Sequence, residues 1–286
     1  MIGHIPSILM GQCLCSAPLD LYCGNFKQCK NHDTNIIVAG LVFVPFSTQA
    51  KVLPKVLFEK ALQESKEGDF IRAEKDWSSY LNENPDDSAA LSNRGNIRLA
   101  LGDPKGAIKD QTKAIEISPE DLDPYLNRGI AEEALQRWED ASKDYNYVLN
   151  NNPKDVSALY NLGNVMGSMD NWVEAKRLFS QAASSNNAVA MSRSSEALAI
   201  YQLGDIELAE KKLRILISKY PLFADARAAL SALLWRKGFT GEAESNWAAA
   251  AGLDIRYREK DWLLNIRRWP PKPTNDLIAF LALDDR

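Results

Sequence analysis

Two tripeptides, Asn93-Arg94-Gly95 and Asn127-Arg128-Gly129, recur one period apart, and Pro119 and Pro153 recur at the same spacing. A fixed period of roughly 34 residues is the mark of a two-helix unit stacked on copies of itself. Such a chain has no single central core. Each unit buries its apolar face against the next, so the period constrains the fold more tightly than length or composition can.

Numbering each unit so that its closing proline stands at position 32 brings the rest of the chain into line. The anchors are Pro85, Pro119, Pro153, Asn187 and Pro221. Position 20 is alanine throughout (Ala73, Ala107, Ala141, Ala175, Ala209, Ala243), and position 8 is small (Ala61, Gly95, Gly129, Gly163, Ala197, Ser231). Position 24 is mostly large (Trp77, Tyr145, Phe179, Leu213, Trp247), with Gln111 the exception. Two antiparallel helices approach closely only where side chains are small. Positions 8 and 20 are therefore expected to face each other, and position 24 to fill the gap to the next unit. Gly68, Gly102, Gly204 and Gly238 at position 15 suit the left-handed residue that ends a helix. Proline at 32 lies beyond the second helix, where no helical N–H is needed.

The pattern resembles the tetratricopeptide repeat family, whose signature runs Trp-x2-Leu-Gly-x2-Tyr, then Ala-x3-Phe, then Pro. Repeat four carries it in Leu159, Leu162, Gly163, Met166, Ala175 and Phe179. The resemblance implies an all-α, right-handed superhelical solenoid of about six helix-turn-helix repeats over residues 54–254. Residues 1–50 form a leader before it, and residues 255–286 a C-terminal capping segment. The sequence departs from the family at position 7, where Arg94 and Arg128 replace the usual leucine, and at Asn187, which replaces a proline. In repeat one, Lys60 and Glu64 stand where apolar residues are usual, as expected of a terminal unit whose outer face meets water.

The distribution of cysteine and histidine excludes several chemistries from the repeats. Cys13, Cys15, Cys23, Cys29, His4 and His32 all precede them. Cys/His zinc sites, Ser–His–Asp triads and Cys–His nucleophiles are thus ruled out of the repeats. The cysteines of the leader lack a Cys-x2-Cys pair, so no metal site is expected there either. There is no Gly-rich phosphate loop, since Gly163–Gly167 falls inside a repeat helix, and the plentiful carboxylates read as solvated helix faces and turns. No catalytic residue, metal or cofactor is assigned, and the chain is expected not to be an enzyme. A net charge of −4 gives a phosphate backbone nothing to hold, so nucleic acid is not an expected partner.

The leader has Lys27, Lys30 and His32 ahead of an apolar run from Ile36 to Phe46, then Thr48-Gln49-Ala50 after Pro45. A basic region, a short apolar core and small residues make a signal-peptide design, and the run is shorter than the roughly 20 residues a membrane span needs. The long stretch before the core fits a two-part leader resembling those of thylakoid-lumen proteins. At the other end, Ile266-Arg267-Arg268-Trp269-Pro270-Pro271 is similar to the closing stretch of certain plant chloroplast and cyanobacterial repeat proteins. Leu277 to Leu283 is expected to cover the open end of the solenoid. The implied location is the chloroplast thylakoid, in the lumen or associated with the membrane at its periphery; a cytoplasmic location is the alternative.

In this family, positions 2, 5, 6, 9, 12 and 13 of each first helix line a concave groove. Position 6 gives Asn93, Asn127 and Asn161, and position 9 adds Asn96 and Asn164. An amide offers one acceptor and two donors, which matches the peptide group of an extended chain. Tyr160, Tyr201 and Trp235 add apolar contacts at the groove wall. The carboxylate clamp of chaperone-binding members also needs cations in these columns. Repeat two has Ser92 and Asn96, and repeat four has Ser157 and Asn161, so the neutral half is present and the charged half is missing. The expected role is a non-enzymatic, protein-binding scaffold or assembly chaperone for photosynthetic membrane complexes, holding extended client segments in the groove. A cytosolic co-chaperone adaptor and a regulatory subunit of a separate enzyme are the alternatives.

Overall fold

The computed structural model describes residues 46–185 and 190–282, and every element among them is helical. The leader up to residue 45 and Asn187 lie outside the described residues. The helix pairs are α1 (Phe46–Glu67) with α2 (Phe70–Glu83), α3 (Ser88–Ala100) with α4 (Pro104–Ile117), and α5 (Asp123–Ala134) with α6 (Trp138–Asn151). They continue with α7 (Val156–Ser168) and α8 (Trp172–Ser184), α9 (Ala190–Leu203) and α10 (Ile206–Lys219), and α11 (Ala224–Arg236) and α12 (Thr240–Leu253). A 3-10 turn at Ile255–Arg258, the short α13 (Lys260–Asn265) and α14 (Pro271–Leu281) complete the chain. Two compact units can be distinguished, one ending at Asp144 and the other beginning at Tyr145.

Local chemistry sets the helix boundaries. Asp69, Asp103, Asn171 and Asp205 share position 16, and each side chain accepts the N–H three residues on, capping a second helix. Asp87 and Asp155 do the same for the first helices α3 and α7. Position 15 takes a positive φ in every repeat. Glycine fills it four times, but Gln136 (φ 57°) and Asp170 (φ 59°) adopt the same left-handed conformation with side chains attached. Helix α1 starts at Phe46, upstream of the expected start at Pro54, and runs through Thr48-Gln49-Ala50 with Pro54 inside it.

The interior follows the repeat. All six position-20 alanines are buried, as are Ala61, Ala197 and Ser231 at position 8. Ser231 donates its hydroxyl to the Ala243 carbonyl at 2.8 Å, so positions 8 and 20 do face each other. Position 24 packs back onto position 8 of its own repeat, and in repeat one Trp77 also shares a core cluster with Ala90 and Leu91 of repeat two, as expected. A methyl group on Gly163 would lie 2.6 Å from the Phe179 ring, and one on Gly95 would lie 2.8 Å from the Gln111 amide. Gln111 uses that closeness to donate to the Ser92 carbonyl and to Asn96 Oδ1, both at 3.0 Å.

The arginines at position 7 are explained by position 23, sixteen residues on. Arg94 and Asp110 form a two-bonded fork, with Nε–Oδ2 and Nη2–Oδ1 both at 2.8 Å. Arg128 and Asp144 repeat the same fork at the same distances. Each arginine also reaches position 25 of the preceding repeat, Ser78 or Thr112, at 3.2 Å. The fork thus ties first helix to second helix and one repeat to the next. Repeat one uses Lys60 with Asp76 at 2.6 Å, repeat four uses the apolar pair Leu162 and Leu178, and repeat five reverses the signs with Glu196 and Lys212 at 3.0 Å. Asp76, Asp110 and Asp144 are therefore buried and paired, not solvated. Glu64 is buried too, so the first helix of repeat one does not turn a fully wet face outward.

Candidate functional site

In the N-terminal unit, the candidate face is built on α3 and α5. The helices packed on α3 are α1, α2, α4 and α5. Ser92, Asn96, Leu99, Ala100 and Ile130 remain half-buried along that face, a polar and apolar mixture suited to a polypeptide. Asn93 and Asn127 lie deeper, at 6% and 3% exposure. Asn127 Nδ2 reaches Ser92 Oγ at 3.3 Å, while its Oδ1 has no partner. Turning the amide over would exchange which atom is orphaned without satisfying both. The Asn96 oxygen is occupied by Gln111.

The position-7 forks hold this face in place. Arg94 and Arg128 each follow one of its asparagines in sequence, and their guanidinium groups are clamped on Asp110 and Asp144. The hydrogen bond to Asp144 raises the Arg128 pKa above its ordinary value, against the opposing effect of burial. Arg98 extends the network, joining Asp110 at 2.9 Å and Glu74 at 3.0 Å. These cations are committed to internal carboxylates, so they do not supply the charged half of a carboxylate clamp.

In the C-terminal unit, the equivalent face is occupied by the chain itself. Helix α14 packs on α11 and α9, the first helices of repeats six and five, rather than over an open end. Tyr201 is fully buried and donates to Asp276 Oδ2 at 2.8 Å; burial, then Asp276, pushes its phenol pKa well up. Trp235 is half-buried with its ring centroid 6.4 Å from that of Phe280. Gln202 accepts the Lys272 N–H at 2.8 Å, and Arg236 Nη1 lies 3.1 Å from Asp276. Tyr201 and Trp235 are thus contacts of the folded tail, not a free groove wall. On α7, Tyr160 and Asn161 are buried and Asn164 is half-buried; Tyr160 lies 5.7 Å from Phe179 between ring centroids, and Asn161 Nδ2 has no partner.

The anchor of the tail is Asp225, at position 2 of repeat six and fully buried. Its carboxylate accepts from Arg267 Nε (2.6 Å) and Nη2 (2.7 Å), the Tyr257 hydroxyl (2.9 Å), Trp269 Nε1 (2.9 Å) and Ser194 Oγ. Burial alone would raise its pKa. The Arg267 charge and the surrounding donors outweigh burial and leave it below the ordinary carboxylate value. The Ile-Arg-Arg-Trp-Pro-Pro stretch has a structural reading from this centre. Arg267 and Trp269 bind Asp225, Arg268 turns the chain with φ 57°, Pro270 precedes α14 and Pro271 opens it. Sequence reasoning missed Asp225; a lone acid amid an alanine-rich helix was the available signal.

Comparisons with known proteins agree with this geometry. The tetratricopeptide repeat family profile matches residues 58–121 and 126–165. Among solved structures, a tetratricopeptide repeat protein from Parabacteroides merdae is 20% identical, with a TM-score of 0.59, covering 80% of this chain and 98% of that one. PilF of Pseudomonas aeruginosa is 18% identical with a TM-score of 0.62, covering 80% and 97%. YrrB, described as a tetratricopeptide repeat protein with an unusual peptide-binding site, is 17% identical with a TM-score of 0.51, covering 66% and 95%. A comparison with curated proteins finds no match.

Proposed function

Because the chain belongs to the tetratricopeptide repeat family, a fold of protein-interaction scaffolds, we propose that it holds a segment of a client protein on the α3–α5 face of its N-terminal unit. One observation carries the reading. In the C-terminal unit, the corresponding first-helix face already takes a polypeptide, the chain's own residues from Arg267 through α14. The α3–α5 face offers the same kind of surface, with Ser92, Asn96, Leu99 and Ile130 half-open above the buried Asn93 and Asn127. An extended client segment would hydrogen-bond Ser92 and Asn96, and its apolar side chains would rest on Leu99 and Ile130. Net hydrogen bonds of about 0.5–1.5 kcal/mol each give modest affinity, which suits a transient client. The neighbour YrrB, described as having an unusual peptide-binding site, is a parallel.

The finer reading is an assembly role for photosynthetic membrane complexes at or inside the chloroplast thylakoid. It is supported by the order of basic, apolar and small residues in the leader and by the Ile266–Pro271 stretch. Among the described residues no helix is long and apolar enough to cross a membrane. Peptides selected from a displayed random library on the full chain test the binding face. Replacing the half-open Leu99 and Ile130 by serine should weaken their binding about tenfold while the circular dichroism stays unchanged; replacing the exposed Ile71 should not. Equal binding by all three proteins would move the site off this face. The mature N-terminus of the native protein tests the location: a start near Lys51 supports import, and an intact Met1 ends it.

A further inference from the structure

Position 4 of the first helix is a buried apolar or aromatic contact in repeats two, three and four: Leu91, Tyr125 and Leu159. In repeat five that position holds Arg193. Its Nε is buried without an acceptor, and among the described residues Arg193 has no hydrogen bond or ion pair. An arginine can be satisfied there. Arg227 of repeat six donates Nε to the Pro221 carbonyl at 2.7 Å and reaches Asn246 with Nη1 at 3.4 Å. Arg193 instead borders a cavity of about 330 Å³ between α8, α9 and α10.

A second departure from the repeat lies in the same wall. The reversed pair of repeat five puts its cation, Lys212, on the second helix, where it lines this cavity. Lys219, exposed in the last turn of α10, adds a third positive charge, and Glu196 is the one carboxylate among the lining residues. A buried guanidinium nitrogen with no acceptor is costly, which makes Arg193 an expensive residue to keep for packing alone; its Nη nitrogens, unlike Nε, are open to solvent and are the ones a ligand's oxygen atoms would meet. We propose that this cavity binds a phosphomonoester. The planar guanidinium end matches phosphate oxygens, Arg193 and Lys219 balance a dianion while Lys212 offsets Glu196, and Ser180 supplies a hydroxyl. The volume exceeds that of a bare phosphate, and Ile215 and Leu216 form an apolar wall for a short organic body. None of these residues belongs to the α3–α5 face, so this site and the client-binding face stand or fall separately.

Calorimetry on the full chain tests it with four probes: inorganic phosphate, N-acetylphosphoserine amide, its unphosphorylated form, and vesicles containing phosphatidic acid. The phosphoserine derivative should bind more tightly than inorganic phosphate, and the unphosphorylated form should give no heat. Arg193→Leu restores the apolar residue of repeats two and four. It should raise the melting temperature in phosphate-free buffer and weaken phosphoserine binding about tenfold or more. Lys219→Met, a surface change, should weaken binding without altering stability. Undiminished binding by both variants, no binding by the unaltered chain, or binding to vesicles alone would overturn the proposal.

Discussion

Repeats two and three are held by charge, and repeat six by alanine and a borrowed tail. In the N-terminal unit, Arg94–Asp110 and Arg128–Asp144 repeat one geometry, and Asp69, Asp87 and Asp103 cap α2, α3 and α4. In repeat six, both helix starts carry phenylalanine, Phe223 and Phe239, with no side-chain cap. Its first helix is lined by Ala226, Ala228, Ala229 and Ala232, all buried. Alanine is small enough to let the chain's own α14 come close to α11, and Asp225 fixes it there. One backbone repeat is thus stabilised in two ways. The first leaves its face half-open to a partner, and the second closes its face with the same polypeptide.

The largest test of this contrast is at Asp225. Alanine there leaves Arg267 buried with no counter-charge, a situation that typically costs about 3–5 kcal/mol. The expected outcome is a C-terminal unit whose tail becomes sensitive to proteolysis while the N-terminal unit remains protected. Acid should mimic the change. Asp225 has a folded pKa below its ordinary value of 3.8, so its stabilising contribution is present above that pH and is lost as pH falls through the folded pKa. Thermal melts of the unaltered chain and of Asp225→Asn should therefore converge as pH drops below 3.8, and parallel curves would refute the linkage.

A smaller effect is expected at the charged seam. Arg128→Ala strands the mostly buried Asp144 and should cost about 1–3 kcal/mol in chemical unfolding. Replacing both Arg128 and Asp144 by leucine copies repeat four, where Leu162 and Leu178 occupy the same positions. That double variant should lie within about 1 kcal/mol of the unaltered chain, because burying an ion pair gains little over a well-packed apolar pair. If the double variant is as unstable as the single one, the fork contributes more than repeat four suggests.

The period in the sequence was enough to locate the helix pairs, the small-residue contacts and the glycine turns, because each depends on a residue's size or its backbone freedom at one position. The asparagine columns were legible as positions but not as environments. Nothing in a column of amides says that Asn93 and Asn127 sink to near-complete burial or that Gln111 occupies Asn96. The tail was legible as a cap but not in its placement. Tyr201 and Trp235 read as groove wall in the sequence because the partners that cover them, Asp276 and Phe280, lie about 75 and 45 residues away. The arginines at position 7 depart from the family pattern when that column stands alone, and their reason lies in the aspartates of position 23. Long-range pairings between charged groups leave no period in one sequence column; they appear only when two columns are compared.

The smallest predicted effect concerns position 15. Four repeats use glycine there, and repeats three and four do not. Asp170 offsets its conformation by accepting the Trp172 indole N–H at 2.7 Å, whereas the Gln136 side chain is exposed. A left-handed residue with a Cβ costs roughly 1–2 kcal/mol, and glycine avoids most of that while gaining chain entropy when unfolded. Gln136→Gly should therefore stabilise the chain by about 0.5–1 kcal/mol, whereas Asp170→Gly should be near neutral because it also removes the indole bond. Equal gains at the two sites would mean that the Asp170–Trp172 bond contributes nothing, and a loss at Gln136 would mean that its strain is offset by contacts of the side chain.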